Sequence, residues 1–300
     1  MSHALTRAIE AVAIVWLAVT LGFILMQAIP GDAPLEAMSA AGASPQAIAE
    51  RRAQLGLEAP ITEQYLRYLA GAVTGRLGVS LLDGRPVSEI VSQQALSTLE
   101  LTAAAGVFTL IVGTALGYAS AGDGKWAHFP RVLLGLCLSV PVLWLGTLVL
   151  SWDGMSGGVF GADSVLAPAM VLGISGAGAL GIVTERALRE TLSQPFVLAA
   201  RARGLRERHI LARHVLRASA APILSAFILQ IGFLLSGAVL TEALFNRQGI
   251  GRLLAQSALR QDYPVVLGVI IWAAIGYALL LLIADLATYR LDPRLDSGNA

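Results

Sequence analysis

Residues 196–222, FVLAARARGLRERHILARHVLRASAAP, decide how this chain is built. Eight arginines lie between Arg186 and Arg217, with charge-free stretches on either side, 164–184 before them and 218–241 after. An arginine at the centre of a bilayer costs about 2.5–3.5 kcal/mol on insertion scales, so eight would cost on the order of 20 kcal/mol or more. The segment therefore lies outside the lipid, held between two membrane spans. In that position a basic, helix-prone stretch is either a solvated anchor or a docking surface for a soluble partner.

Working outward, six runs carry no Asp, Glu, Lys or Arg: 11–31, 101–122, 132–152, 164–184, 218–241 and 263–284. A helix of about 20 residues crosses a hydrocarbon core about 30 Å thick, and lipid obliges the backbone to satisfy its own hydrogen bonds. Each run is thus predicted to cross once, as a helix. The 300 residues are 56% hydrophobic and 14% charged, which excludes an ordinary soluble domain. A mean hydropathy of +0.69 agrees. The expected fold class is all-α: one polytopic membrane domain of six transmembrane helices. The first run is too long for a signal-peptide core and five further runs follow it.

Sidedness follows from basic residues near the span ends. Thirteen fall on the side of the chain ends and the arginine segment. Eight fall opposite, five of them in the long loop 32–100, which translocates largely regardless of charge. Both termini and the loop 185–217 are therefore expected to be cytoplasmic, and 32–100 extracytoplasmic. Within that outer loop, Pro45–Leu55 reads as a helix capped by Ser44, and Glu63–Val73 as a second, amphipathic one. Gly113 and Gly117, then Gly173, Ala177 and Gly181, place small residues four apart, the spacing of close helix packing.

Inside the basic loop, Ser193 is placed to cap a helix with Pro195 in its first turn, and Gly204 to end it in a left-handed conformation. A short helix Pro195–Arg203 results, carrying Ala199 and Ala200. A second helical stretch runs from Arg206 toward Arg217, before Pro222 opens the fifth span. The small pair would admit a partner closely, with Arg201 and Arg203 at the rim.

Ala199-Ala200, Gly204-Leu205 and Pro222 resemble the "EAA" loop of permease subunits of binding-protein-dependent ABC importers, in the oligopeptide/dipeptide/nickel permease family. Further similar pieces run along the chain in order. They are Pro30-Gly31-Asp32, Leu55-Gly56-Leu57 with Gln64-Tyr65, Leu77-Gly78 with Ser80, and Thr98-Leu99-Glu100-Leu101. Later come Glu242 with Phe245, Gly249-Ile250-Gly251 with Leu253, Asp262-Tyr263-Pro264-Val265-Val266, and Leu291-Asp292-Pro293-Arg294. Where the wider superfamily often has Glu six residues before the loop glycine, this chain has Leu198, and the connection 153–163 is short and glycine-rich.

The resemblance implies a type I importer permease in the cytoplasmic (inner) membrane of a prokaryote. It implies coupling through Phe196, Ala199, Ala200, Arg201, Arg203, Gly204 and Leu205. The partners it implies are a second homologous permease, two ATPase subunits and an extracytoplasmic solute-binding protein, with no nucleic acid. The cargo would be peptides, nickel or its chelates, or a related small solute.

The chain carries no Walker A sequence, since Gly124-Lys125 is followed by Trp126 and lacks the upstream glycine. It is therefore expected to bind no cofactor, with ATP and Mg²⁺ on the ATPase partners, and to be no enzyme. The lone Cys137 and four histidines outside the apolar runs offer no metal cluster. Glu100, Glu185, Glu242 and Asp285 sit at span ends within reach of water or headgroups. Gln230, inside the fifth run, either faces a pathway or bonds to a neighbouring helix, and Glu242 is a pathway or interface candidate. A stand-alone secondary transporter or channel is the alternative. It would be expected to carry ionisable groups inside the spans, and none is present.

Overall fold

The protein, a computed structural model, describes residues 3–28, 42, 44–54, 58–122, 124–156 and 164–291. Among them the regular elements are helical, apart from one isolated bridge between Val79 and Pro86. In order they are α1 (His3–Ala28), α2 (Pro45–Gln54), α3 (Ile61–Thr74), α4 (Val87–Ser120), α5 (His128–Ser139), α6 (Val142–Met155), α7 (Leu166–Leu192), α8 (Pro195–Ala202), α9 (Glu207–Ile210), α10 (Leu216–Leu244), α11 (Ile250–Leu259) and α12 (Tyr263–Leu291). The pieces 30–32, 55–57, 292–294 and most of 153–163 lie outside the described residues.

Four helical stretches are long and apolar enough to cross a bilayer unaided: Val87–Ser120, Leu166–Leu192, Glu207–Leu244 and Tyr263–Ile283. The apolar part of α1, Ile9–Leu25, is shorter. The expected straight span 132–152 is not one helix. It is α5 and α6, bent by 97°. Between them Val140 is extended at φ −84°, ψ 120°, because the ring of Pro141 disfavours the α region for its predecessor.

The boundaries of the two long loops also shift. α4 starts at Val87, so part of the loop predicted to reach residue 100 is helix, and its 34 residues exceed what the hydrocarbon core requires. α7 runs to Leu192 and carries Arg186 and Arg189 beyond the apolar run. After α9, a π-helical turn, Leu211–Val215, leads directly into α10. Pro222 consequently lies inside α10 rather than opening it. Contacts to α7 hold this region: the Thr191 and Ser219 hydroxyls bond at 2.8 Å, and Ser219 Oγ donates to Ala187 O at 3.2 Å.

The chain forms two compact units, one from 1–97 with 248–279, the other from 98–247 with 280–300. In the first, Val87, Ile90, Val91 and Ala95 of α4 pack on Ile250, Val265 and Val269. There Ser80 Oγ donates at 2.5 Å to the buried Asp262 carboxylate, whose other oxygen accepts the Leu81 N–H at 3.0 Å. α2 has the expected cap, Ser44 Oγ accepting the Ala47 N–H at 3.2 Å. α3 is set against α1 through Tyr65 and Tyr68, whose rings contact Phe23.

In the second unit, α4 and α7 approach backbone to backbone. A β-carbon added at Gly113 would lie 2.9 Å from Ala177 O, and one at Gly117 would lie 2.6 Å from Gly181 O. The small-residue spacing is therefore packing, as expected. At the far end of these helices, Arg131 Nε and Arg189 Nε pair with Glu185 Oε1 at 2.8 and 3.2 Å. Arg131 also donates to Ser120 O at 2.8 Å. Cations placed on the last carbonyls of α4 complement that helix end.

Candidate functional site

The basic loop folds onto its own small core. Gln194, extended at φ −69°, ψ 145°, precedes α8, and Pro195 occupies the first turn, where a missing N–H costs nothing. Ser193 does not cap the helix; its hydroxyl donates to Glu190 O at 2.7 Å on the end of α7. Gly204 has φ +76°, with its N–H on Arg201 O at 2.9 Å and the Leu205 N–H on Ala200 O at 3.3 Å. These are the paired closing bonds of a left-handed helix terminus, which a residue without a β-carbon adopts unstrained.

Val197 and Ala200 turn inward against Ala121, Leu188, Ile210 and Val215. Ala200 is thus part of the loop's own core rather than a surface for a partner, because it lies one turn from Val197 on the same face. Phe196, Leu198 and Leu205 are exposed large apolar side chains. Ala199, Arg201, Ala202, Arg203 and Gly204 are exposed beside them. The outer face of α8 is therefore an apolar patch, including Leu198, rimmed by arginines.

Arg201 Nε donates to Glu207 Oε1 at 2.7 Å, tying the end of α8 to α9. That hydrogen bond and the carboxylate's charge raise the guanidinium above its already high value, so Arg201 stays charged. Behind α8, a cavity of about 610 Å³ is walled by Tyr118 and Ala119 of α4, Leu188 and Arg189 of α7, and Arg201 and Glu207.

The other candidates separate. Gln230 is half-buried against α7, where a β-carbon at Gly176 would come within 3.2 Å of its Nε2. Glu242 is not within reach of water: it is fully buried, and Thr98 Oγ1 donates to it at 2.6 Å. α10 continues past it to Leu244, so the carboxylate faces α4 and not the span end. Glu100 does meet solvent and pairs with Arg247 at 2.7 Å. Ser80 and Asp262 stand in two of the quoted sequence pieces and Glu185 among the span-end acids, but no local pattern joins Ser80 to Asp262 or Glu185 to Arg131 and Arg189. No group of three or more His, Cys, Asp and Glu able to hold a metal occurs among the described residues.

A model of the binding-protein-dependent transport system inner membrane component matches residues 113–297. The N-terminal model of such membrane components matches 1–102. The chain belongs to this family of ABC importer permeases. It is 31% identical over 304 residues to the glutathione transport system permease protein GsiC of Salmonella paratyphi A, covering 98% of each. The protein of the same name from Escherichia coli K12 is 29% identical over 301 residues, again covering 98% of each.

Among solved structures, an inward-facing methionine ABC transporter, MetNI, superposes with a TM-score of 0.60 at 17% identity, over 68% of this chain and 96% of that one. An amino acid ABC transporter gives 0.56 at 15% identity, over 68% and 94%. These two share the fold. The chain is thus a membrane permease subunit of an importer, its regular elements helical among the described residues, and not itself an enzyme.

Proposed function

We propose that this chain forms half of a translocation pathway for small peptides, of which glutathione, itself a tripeptide, is the model, and that ATP hydrolysis by separate subunits drives it. The observation that carries coupling is the outer face of α8. Phe196, Leu198, Ala199 and Leu205 present apolar surface, Arg201 and Arg203 stand at its edge, and the Gly204 terminus holds the helix in one pose. Apolar centres with charged rims are what a protein groove receives.

On this reading two ATPase subunits bind ATP and Mg²⁺ and dock on α8 and on its counterpart in a second, homologous permease. An extracytoplasmic binding protein delivers the cargo. The chain crosses a prokaryotic inner membrane six times, with α1 and the bent α5–α6 pair each counted as one span and both ends cytoplasmic. Full-length likeness to the glutathione permeases favours peptides over nickel.

The test is uptake of labelled glutathione and labelled nickel into proteoliposomes holding the chain with its co-expressed partners. Glutathione uptake that needs ATP, the ATPases and the binding protein is expected. Uptake of nickel alone would replace the cargo, and uptake by the chain alone without ATP would replace the mechanism with that of a channel or secondary transporter.

A further inference from the structure

The amphipathic helix α3 packs side chains against the C-terminal half of α1 and keeps an apolar side uncovered. Tyr65 Oη bonds to Thr20 Oγ1 at 2.7 Å, and Gln64 Oε1 accepts from Gln27 Nε2 at 3.4 Å. The Phe23 ring lies 5.4 Å from Tyr65 and 6.1 Å from Tyr68. These contacts use the face formed by Gln64, Tyr65 and Tyr68. They fall on α1 at Thr20, Phe23 and Gln27, the last turns of its apolar segment Ile9–Leu25 and one polar residue just beyond it. If α1 crosses the bilayer, the outer end of that stretch approaches the boundary between acyl chains and headgroups, where tyrosines concentrate.

At about 100° per residue, Leu66, Leu69 and Val73 form one flank of α3, next to the face on α1. Leu66 is 64% exposed and Val73 88%. Round the helix on the other flank, Arg67 pairs with Glu63 at 2.8 Å, both side chains well exposed. On α1, Leu21, Ile24 and Leu25, neighbours in sequence of the contact residues Thr20 and Phe23, are also exposed, as side chains on the lipid face of a spanning helix are. One face on protein, one apolar flank and one charged flank is the pattern of a helix lying in the plane of an interface.

We propose that α3 is an in-plane membrane helix. Leu66, Leu69 and Val73 enter the acyl boundary of the leaflet at the C-terminal end of α1, and Glu63 and Arg67 remain in water. The segment then braces α1 against the bilayer rather than standing free above it. This rests on α1 being a span, and the experiment separates the two statements.

In a Cys137→Ser background, nitroxide labels are placed on Leu66→Cys, Val73→Cys, Arg67→Cys and, as a lipid reference, Ile24→Cys. The full-length chain with its co-purified partners is placed in phosphatidylethanolamine–phosphatidylglycerol nanodiscs. Collision rates are then measured with oxygen, which partitions into lipid, and with a water-soluble nickel chelate. Positions 66 and 73 should resemble 24, favouring oxygen, with chelate collisions several-fold below those at 67. If 66 and 73 meet the chelate as readily as 67 while 24 does not, α3 is in water and the proposal falls. Shielding of 66 and 73 from both reagents would show a protein partner there and overturn it equally. Chelate access at 24 itself would sink both the proposal and the spanning of α1.

Discussion

At the scale of single residues, Gly204 and Glu242 make opposite demands. Nothing lies within 4 Å of a β-carbon built on Gly204, so this chain has room for a side chain there and resists only through its positive φ. That strain is of order 1 kcal/mol, and least for Asp and Asn, which tolerate the left-handed region best. Gly204→Asp should therefore leave permease abundance unchanged while a charged group at the α8 terminus weakens ATPase binding. Arg206→Ala, an exposed charge, should do much less. Pull-down of the ATPases, normalised to permease in the membrane, measures both, and full retention by Gly204→Asp would leave the loop a basic anchor. Glu242 has no such room. Glu242→Ala removes the acceptor of the buried Thr98 hydroxyl and should cost about 1–3 kcal/mol. Glu242→Gln keeps an acceptor and should cost less, as read from denaturant unfolding in detergent.

Among the elements, α4 and α7 depend on the absence of side chains along their contact. Gly117→Leu drives a side chain into Gly181 O and Thr184. Overpacking of this kind costs about 1–3 kcal/mol, occasionally more. Gly135→Leu on α5 meets nothing within 4 Å and is the matched control. The expected outcome is a lower melting temperature and less folded permease for Gly117→Leu only, measured by size-exclusion profile and thermal unfolding. The ends of elements were partly legible in the residues. Ser44 caps α2 and Gly204 terminates the α8 turn as their types suggest, because both act on backbone within a few residues. The same local reasoning pointed to Ser193 as a cap and to Pro222 as a helix start. Packing on α7 decided both otherwise. The break at Pro141 was visible as a proline, but within a charge-free run of sufficient length it reads as one span.

For the whole molecule, the predicted topology and the division of labour are testable together. With Cys137 replaced by Ser, a cysteine at Asp83 should react with an impermeant maleimide added outside intact cells, and one at Glu207 should not. The reverse pattern would invert the topology and remove α8 from the compartment that holds ATP. The purified chain alone should show no ATP hydrolysis, since it has no phosphate-binding loop; turnover without partners would contradict the proposed arrangement.

What the residues determined by themselves is what the solvent reads directly. A run of about twenty apolar residues must leave water, eight arginines must stay in it, and a glycine or proline sets backbone angles wherever it stands. These are one-body properties, and they sufficed for a helical membrane protein with a structured basic loop. The tertiary structure alone decided which side of α8 faces outward, that Ala200 serves the loop's own core, and that Glu242 is buried. The partners involved are far apart in sequence: Thr98 and Glu242 by 144 residues, Ser80 and Asp262 by 182. Burial of a polar group depends on a partner arriving from elsewhere in the chain, and no local periodicity records where that partner comes from.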